Sequence, residues 1–171
     1  MKTLASQAAA LAATAAFAAA LALASPAAQA GPDDAQLQRL ALCQDSWFDW
    51  KDDAARMARF ASLFNTRFSR SPQGDAFVPR QSSQVLGRAI RQAYPQSVGM
   101  GVGFSLVINA DFATARAAVE QQLGKPMHCA TSDGVRSCEL SLGEQKTALL
   151  MTGQNGQAST SLVGCYYFYE K

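Results

Sequence analysis

The stretch Cys129-Ala-Thr-Ser-Asp-Gly-Val-Arg-Ser-Cys138 combines a turn signal with two cysteines placed at equal distances from it. Asp-Gly is the dipeptide most typical of a two-residue type I′ hairpin turn. If Asp133 and Gly134 form that turn, counting outward places Cys129 opposite Cys138 in a non-hydrogen-bonded pair. Such a pair is close enough for a disulfide. The stretch therefore predicts an antiparallel hairpin closed by Cys129–Cys138.

The two remaining cysteines, Cys43 and Cys165, are then left to bridge an N-terminal helix to the last strand. Four cysteines in an exported chain are typical of a disulfide framework, and the hairpin register selects one of the three pairings they allow. A metal site is the competing interpretation. It is not favoured, because the chain has no Cys-x-x-Cys spacing and a single histidine, His128. We predict two disulfides, no metal and no cofactor.

Downstream of the hairpin, turn dipeptides divide the chain into short strands. Besides Asp133-Gly134, the pairs Gly143-Glu144 and Asn155-Gly156 suit two-residue hairpin loops. The segments between them predict four antiparallel strands arranged as a meander, of which the last runs from Leu162 to Tyr169.

Upstream, the clearest strand spans residues 97–109, where alternate apolar side chains point to one face. Glycines at 99, 101 and 103 leave the opposite face bare at the start of this strand, which suits the close approach of a helix or an aromatic ring. The preceding segment, Val85–Tyr94, fits a helix and a strand equally well. Pro95 is expected to end it in either form.

Helices are predicted on both sides of this strand. Asp111 caps a helix that extends to Leu123. Nearer the N-terminus, apolar residues spaced by three and four predict a helical pair over 34–44 and 47–67. The order of helices, strand, helix and meander predicts a single α+β domain over residues 31–171, with the helices packed on one antiparallel sheet.

Residues 1–30 have the features of a removable signal peptide. Lys2 is the only charge before Asp33, residues 8–24 are almost wholly alanine and leucine, and Ala28-Gln29-Ala30 is a small-residue cleavage motif. The apolar run is shorter than the roughly 20 strongly apolar residues that a membrane span needs. We therefore expect cleavage after Ala30, export to the periplasm, and no membrane span once the signal is removed.

The charge balance argues against one class of partner and suggests another. A net charge of +2 at pH 7 is far below the basic excess expected of a nucleic-acid binder. Residues 33–53 nevertheless hold six aspartates, and residues 56–91 hold seven arginines against one acidic residue. This arginine-rich segment, with Arg80, Arg88 and Arg91 as candidate contacts, suits an anionic envelope component or an acidic envelope protein. The alternative is a solvated face that aids solubility.

The last strand carries four consecutive aromatic residues, Tyr166 to Tyr169. Successive side chains of a strand point to opposite faces, so aromatic rings must lie on both faces of the sheet. One face is core. If no helix covers the other face, Tyr167 and Tyr169 offer a tyrosine-rich contact surface of the kind enriched at interfaces; otherwise the strand is core on both sides.

The sequence shows no familiar catalytic motif. No nucleophile or carboxylate lies at a catalytic spacing from His128, and no Gly-x-Ser-x-Gly elbow occurs. We therefore expect a non-enzymatic binding module, an inhibitor or immunity-type protein, that presents Asp133, Gly134 and Arg136 on its clamped hairpin. A rigid loop enters a partner's cleft with little ordering cost. An envelope-assembly protein that docks through the arginine-rich segment is the alternative, and an enzyme of unfamiliar design is least favoured.

Overall fold

The computed structural model describes residues 31–48, 54–72, 74–98, 101–143, 145–153 and 158–168. The predicted signal peptide lies outside these ranges. The helices are α1 (Pro32–Ala41), α2 (Ala54–Arg67) and α3 (Phe112–Leu123). Among the described residues, no helix is both long and apolar enough to cross a membrane.

Short and medium strands make up most of the remaining structure. They are β1 (Phe68–Arg70), β2 (Phe77–Pro79), β3 (Gln84–Val85), β4 (Arg88–Val98), β5 (Gly101–Ile108), β6 (His128–Ser132), β7 (Val135–Ser141), β8 (Lys146–Thr152) and β9 (Ser161–Phe168). All of their pairings are antiparallel. The chain is therefore an α+β protein built on a large antiparallel sheet, as its sequence predicts.

The strand order of the sheet is β1-β2-β4-β5-β9-β8-β7-β6, and β3 pairs with β4 outside this path. β9 follows all the other described strands in the chain, yet it lies in the middle of the sheet, between β5 and β8. Every residue of β9 from Ser161 to Phe168 is paired with β5. β9 therefore joins the two halves of the sheet.

The segment that fits helix and strand equally, Val85–Tyr94, belongs to the sheet as parts of β3 and β4. Contrary to expectation, Pro95 does not end it, and β4 continues past this residue. Pro95 is paired with Phe104 of β5, whereas on the other side of β4 the described pairing with β2 reaches only Ala93. β4 therefore has an edge at Pro95, and strand prolines are typically found at such edges. The strand predicted over 97–109 is therefore divided: its first two residues belong to β4, and β5 begins at Gly101.

Both N-terminal helices differ from their predicted bounds. α1 ends at Ala41 rather than at residue 44, because Cys43 adopts a positive φ of 57° that a right-handed helix does not allow. Glycine usually takes this left-handed position after a helix, whereas here the disulfide requires a cysteine. The second helix is predicted from residue 47, but Trp47 is not helical, and the described part of α2 starts at Ala54.

A hydrophobic core lies on one face of the sheet, and all three helices contribute to it. Alternate residues of β5, namely Phe104, Leu106 and Ile108, are fully buried on this core face. The Phe104 ring meets α2, with its centroid 5.2 Å from that of Phe60 and 5.8 Å from that of Phe64. Helices α1 and α3 add further buried apolar side chains, among them Leu37, Leu40, Ala115 and Val119.

Two disulfides cross-link the chain, and both are the bridges expected from the sequence. Cys43–Cys165 ties the end of α1 to β9 within the core, with Cα atoms 5.1 Å apart and a sequence separation of 122. In the chain-entropy model, closing a loop of about 100 residues stabilises a fold by roughly 4.7 kcal/mol. Cys129–Cys138 has a sequence separation of only 9 and stabilises mainly its own hairpin.

On the face of the sheet opposite the core, aromatic rings of β9 lie over glycines of β5. A Cβ atom added at Gly103 would lie 2.1 Å from Cε1 of Tyr166, and one at Gly101 would lie 2.9 Å from Cδ1 of Phe168. Carbon atoms this close overlap, so a side chain at either position would have to displace the ring above it. The predicted approach of an aromatic ring to this glycine row is therefore confirmed at both positions.

A buried ion pair links α1 to the end of α2. The Arg67 guanidinium donates to the Asp34 carboxylate and, at 2.6 Å, to the Ser83 hydroxyl. The second Asp34 oxygen accepts the backbone N–H of Gln84 at 3.0 Å. The Arg67 and Asp34 side chains are only 10% and 8% exposed. Arg67 is thus a structural residue, although it belongs to the arginine-rich segment.

We expect Gly103→Ala to destabilise the fold by about 1–3 kcal/mol, because the added methyl group overlaps the Tyr166 ring and forces β5 and β9 apart. Gly74→Ala is the matched control, since a Cβ atom there meets nothing within 4 Å. The free energy of unfolding in urea measures both changes. A Gly103→Ala protein as stable as the unmodified chain would contradict the close approach.

We expect Arg67→Met to cost about 3–5 kcal/mol, because it leaves the Asp34 carboxylate buried without its charge partner. Adding Asp34→Leu should restore part of that loss, since no unpaired charge then remains in the interior. The measurement is a double-mutant cycle of unfolding free energies. A double variant that is destabilised by the sum of the two single losses would argue against a coupled pair.

Candidate functional site

β6 and β7 form the hairpin predicted from residues 129–138. The register pairs Cys129 with Cys138 and leaves Asp133 and Gly134 as the two loop residues. Their φ angles, 50° and 78°, are both positive, as a type I′ turn requires. Asp133 and Gly134 therefore lie at the tip of the hairpin.

The hairpin lies at one edge of the sheet. β6 is the terminal strand of the sheet order, and β7 is its neighbour among the described strands. Every residue of β6, from His128 to Ser132, is exposed. Val135, next to the turn, leaves 41% of its surface exposed. An edge strand of this kind offers backbone N–H and C=O groups to another chain.

Two interactions hold the hairpin in place. The Cys129–Cys138 disulfide cross-links its strands, and the Arg136 guanidinium lies over the Phe112 ring, with its Cζ atom 4.5 Å from the ring centroid. Phe112 is the first residue of α3, and a cation–π contact at an exposed site contributes about 0.5–1 kcal/mol. Arg136 therefore braces the hairpin against α3; it is also exposed, and its contact with a partner stays a prediction.

His128 lies at the base of the hairpin, exposed and opposite Glu139. These two residues precede Cys129 and follow Cys138, so their side chains point away from the face that carries the disulfide. Within the described ranges, no group of three or more His, Cys, Asp or Glu side chains could hold a metal ion.

The prediction that Tyr167 contacts a partner is wrong. Tyr167 is 3% exposed, and its hydroxyl accepts the backbone N–H of Trp47 at 3.2 Å. Burial raises the pKa of Tyr167, and the Trp47 N–H and the charge of Arg56 offset part of that rise. Tyr166, on the opposite face, is 4% exposed, so these two positions fit the alternative of a strand buried on both sides. Tyr169 lies outside the described residues.

The candidate arginines differ in what they contact. The Nε atom of Arg80 donates to the backbone carbonyls of Asn65 and Phe68, at 3.1 and 2.9 Å, and so holds this side chain against the end of α2. Arg88 and Arg91 lie exposed on β4. The arginine-rich segment is therefore divided between structural and exposed positions.

Sequence reasoning missed two residues of this site, Val135 and Phe112. The register that pairs Cys129 with Cys138 also places Val135 beside the turn, at the exposed end of the hairpin, so that signal was present in the sequence. Phe112 carries no such signal. Its contact with Arg136 joins the hairpin to the start of the helix that precedes it in the chain, and no local pattern indicates such a pairing.

Comparison with known proteins yields no relative from which a function could be carried over. No family model matches the sequence, and no curated protein and no solved structure matches it.

Proposed function

We propose that this chain is an exported, non-enzymatic binding module that engages a protein of the cell envelope through the β6–β7 hairpin, in the manner of an inhibitor or immunity-type protein. The observation that carries the proposal is the clamped hairpin itself. It combines an exposed edge strand, a fixed type I′ tip at Asp133-Gly134 and an exposed apolar side chain, Val135.

Preorganisation is the physical advantage of this arrangement. A flexible loop loses conformational entropy when it binds, whereas a cross-linked loop has already lost most of it before the partner arrives. Here the Cys129–Cys138 disulfide fixes the register, and the Arg136–Phe112 contact fixes the orientation of the hairpin relative to α3. The partner therefore meets a surface whose shape does not change on binding.

The exposed groups of the hairpin indicate what kind of surface the partner must present. An extended segment of another protein can pair with the edge of β6 through backbone hydrogen bonds, as in β-strand addition. Val135 would supply an apolar anchor and Asp133 a charged tip. These features suit a partner protein whose binding cleft has an extended backbone segment along one side.

Two observations support export: the signal-peptide pattern of residues 1–30 and the two disulfides. Disulfides persist in oxidising compartments such as the periplasm, and both bridges join residues that lie after the predicted cleavage at Ala30. A partner of the envelope follows from that location.

The arginine-rich segment supports the alternative, an envelope-assembly protein that docks on an anionic component. Arg88 and Arg91 on β4 remain exposed for such a contact, whereas Arg67 and Arg80 hold elements of this chain together. The dependence of binding affinity on salt concentration distinguishes the two functions. Docking through exposed arginines should weaken sharply between about 0.05 and 0.5 M NaCl, while a contact based on Val135 and backbone pairing should change little.

We expect a photo-crosslinking residue at position 135 to capture one defined protein from the intact envelope of the native host. The matched control is the same residue at position 57, because Met57 on α2 is 43% exposed and Val135 is 41% exposed. Mass spectrometry of the adducts identifies the captured protein. Equal adducts from both positions, or no adduct from position 135, would remove the hairpin as the binding surface.

With that partner purified, we expect Val135→Asp to weaken its affinity by at least about tenfold, as charging a central contact does. Met57→Asp should leave the affinity unchanged, and both variants should keep their unfolding free energy within about 0.5 kcal/mol, as surface changes usually do. Isothermal titration calorimetry and urea unfolding measure the two quantities. An equal loss of affinity in both variants would speak against a specific hairpin contact.

A further inference from the structure

The outer edge of β6 lacks the features that usually protect an edge strand. All five residues of β6, from His128 to Ser132, are exposed, and among the described strands β6 is paired with β7 alone. None of the five is Asp, Glu, Lys, Arg or Pro, although charges and prolines are what natural proteins place on edge strands to prevent association. At the other end of the sheet, β1 has only three residues and ends in Arg70. β6 is therefore the edge that is open to another strand.

The register of the hairpin determines which backbone groups of β6 face outward. Ser132 and Val135 flank the two-residue turn as a hydrogen-bonded pair, and hydrogen-bonded and non-hydrogen-bonded pairs alternate from there along the strand. Thr131 and Cys129 belong to the non-hydrogen-bonded pairs, so their N–H and C=O groups point away from β7. The edge therefore offers two residues, each with one donor and one acceptor.

These outward groups are complementary to those of a second copy of the same strand. When two β6 strands run antiparallel about a two-fold axis at Ala130, Cys129 of each copy faces Thr131 of the other. Both pairs then exchange N–H···O bonds in both directions. Moving the axis to Cys129 would pair Thr131 with Met127, which is buried and precedes β6. Moving it to Thr131 would pair Cys129 with Asp133, which belongs to the turn. The axis at Ala130 therefore uses the edge most fully.

The side chains suit the same arrangement. Ala130 faces its own copy across the axis, in a non-hydrogen-bonded pair with Cα atoms about 4.5 Å apart, and its methyl group leaves room for that approach. On the same face, His128 of one copy lies opposite Ser132 of the other. The charged tip at Asp133 comes beside the base of the other hairpin, where Lys125 is exposed. The two edges are therefore complementary in charge as well as in hydrogen bonding.

We propose that a second copy of this chain docks on the edge of β6, in a two-fold dimer whose β6 strands pair antiparallel about Ala130. The pairing joins the two sheets into one, and the assembly closes at two copies because the two open edges cover each other. One five-residue strand from each copy forms a contact smaller than the roughly 1,200–2,000 Å² that stable protein interfaces bury. The dimer is therefore reversible, with a dissociation constant on the order of 0.1 mM.

Sedimentation equilibrium measures the dimer directly, with the full chain expressed with its export segment and purified with its disulfides intact. We expect a monomer–dimer equilibrium over a range of about 0.01–1 mM. Ala130→Lys places two like charges opposite each other at the axis and should weaken dimerisation at least about tenfold. The matched control is Ala89→Lys, because Ala89 is also an exposed alanine of a strand, β4, outside the hairpin. It should leave the dissociation constant unchanged.

Engineered cysteines test the register. Ala130→Cys brings two thiols within disulfide range at the axis, so mild oxidation should link two copies covalently. Ser132→Cys is the matched control on the same face of β6, because the register separates the two copies of this residue by about 14 Å, four residues at about 3.4 Å each. It should remain unlinked, since a disulfide needs Cα atoms within about 7 Å. Peptide mapping by mass spectrometry identifies the linked residues and checks that both native bridges are intact.

The proposal is overturned if the chain stays monomeric up to about 1 mM. It is also overturned if Ala89→Lys weakens dimerisation as much as Ala130→Lys, or if Ala130→Cys links no more readily than Ser132→Cys. The hairpin function stands or falls separately, because these experiments use the purified chain alone, and its proposed anchor, Val135, lies on β7 rather than on the paired edge. An envelope protein that adds a strand to β6 would displace the second copy.

Discussion

β9 occupies the middle of the sheet, and the packing of the other elements depends on it. Its core-face residue Cys165 is bonded to Cys43 and so fixes the end of α1. On the same face the Tyr167 hydroxyl holds the backbone of Trp47, and on the opposite face Tyr166 covers Gly103 of β5. The other side of β9 carries β8, through which β7 and the hairpin are attached. One strand therefore connects both sheet halves and the N-terminal segment.

Interactions that are local in sequence could be predicted, because their geometry depends on few residues. The Asp133-Gly134 turn sets the register of its own hairpin, and that register places Cys129 opposite Cys138 without knowledge of the rest of the fold. The other disulfide then follows by elimination. The glycine row of β5 likewise predicts a close neighbour, since a strand without side chains on one face leaves space for an aromatic ring. None of these inferences requires the strand order.

Predictions failed where tertiary structure overrides a local signal. Pro95 normally ends an element, but here β4 continues through it, paired with β5 on one side and with an edge beyond the described β2 pairing on the other. α1 ends early because Cys43, which also forms the disulfide to Cys165, adopts a left-handed conformation. Tyr167 could not be assigned to the core from the sequence, because four consecutive aromatic residues do not show which face the helices cover.

The central position of β9 also has a consequence for how this protein can be made. Synthesis delivers a polypeptide from its N-terminus, so β5 and β8 emerge before the strand that separates them. Until residues 161–168 arrive, each of these strands keeps one unpaired edge, which is a template for association with other chains. Cys43 likewise waits for its partner, and pairing with either hairpin cysteine in the meantime would be a misfolded state. Folding that proceeds from the N-terminus therefore cannot close this sheet until the last strand of the chain is available.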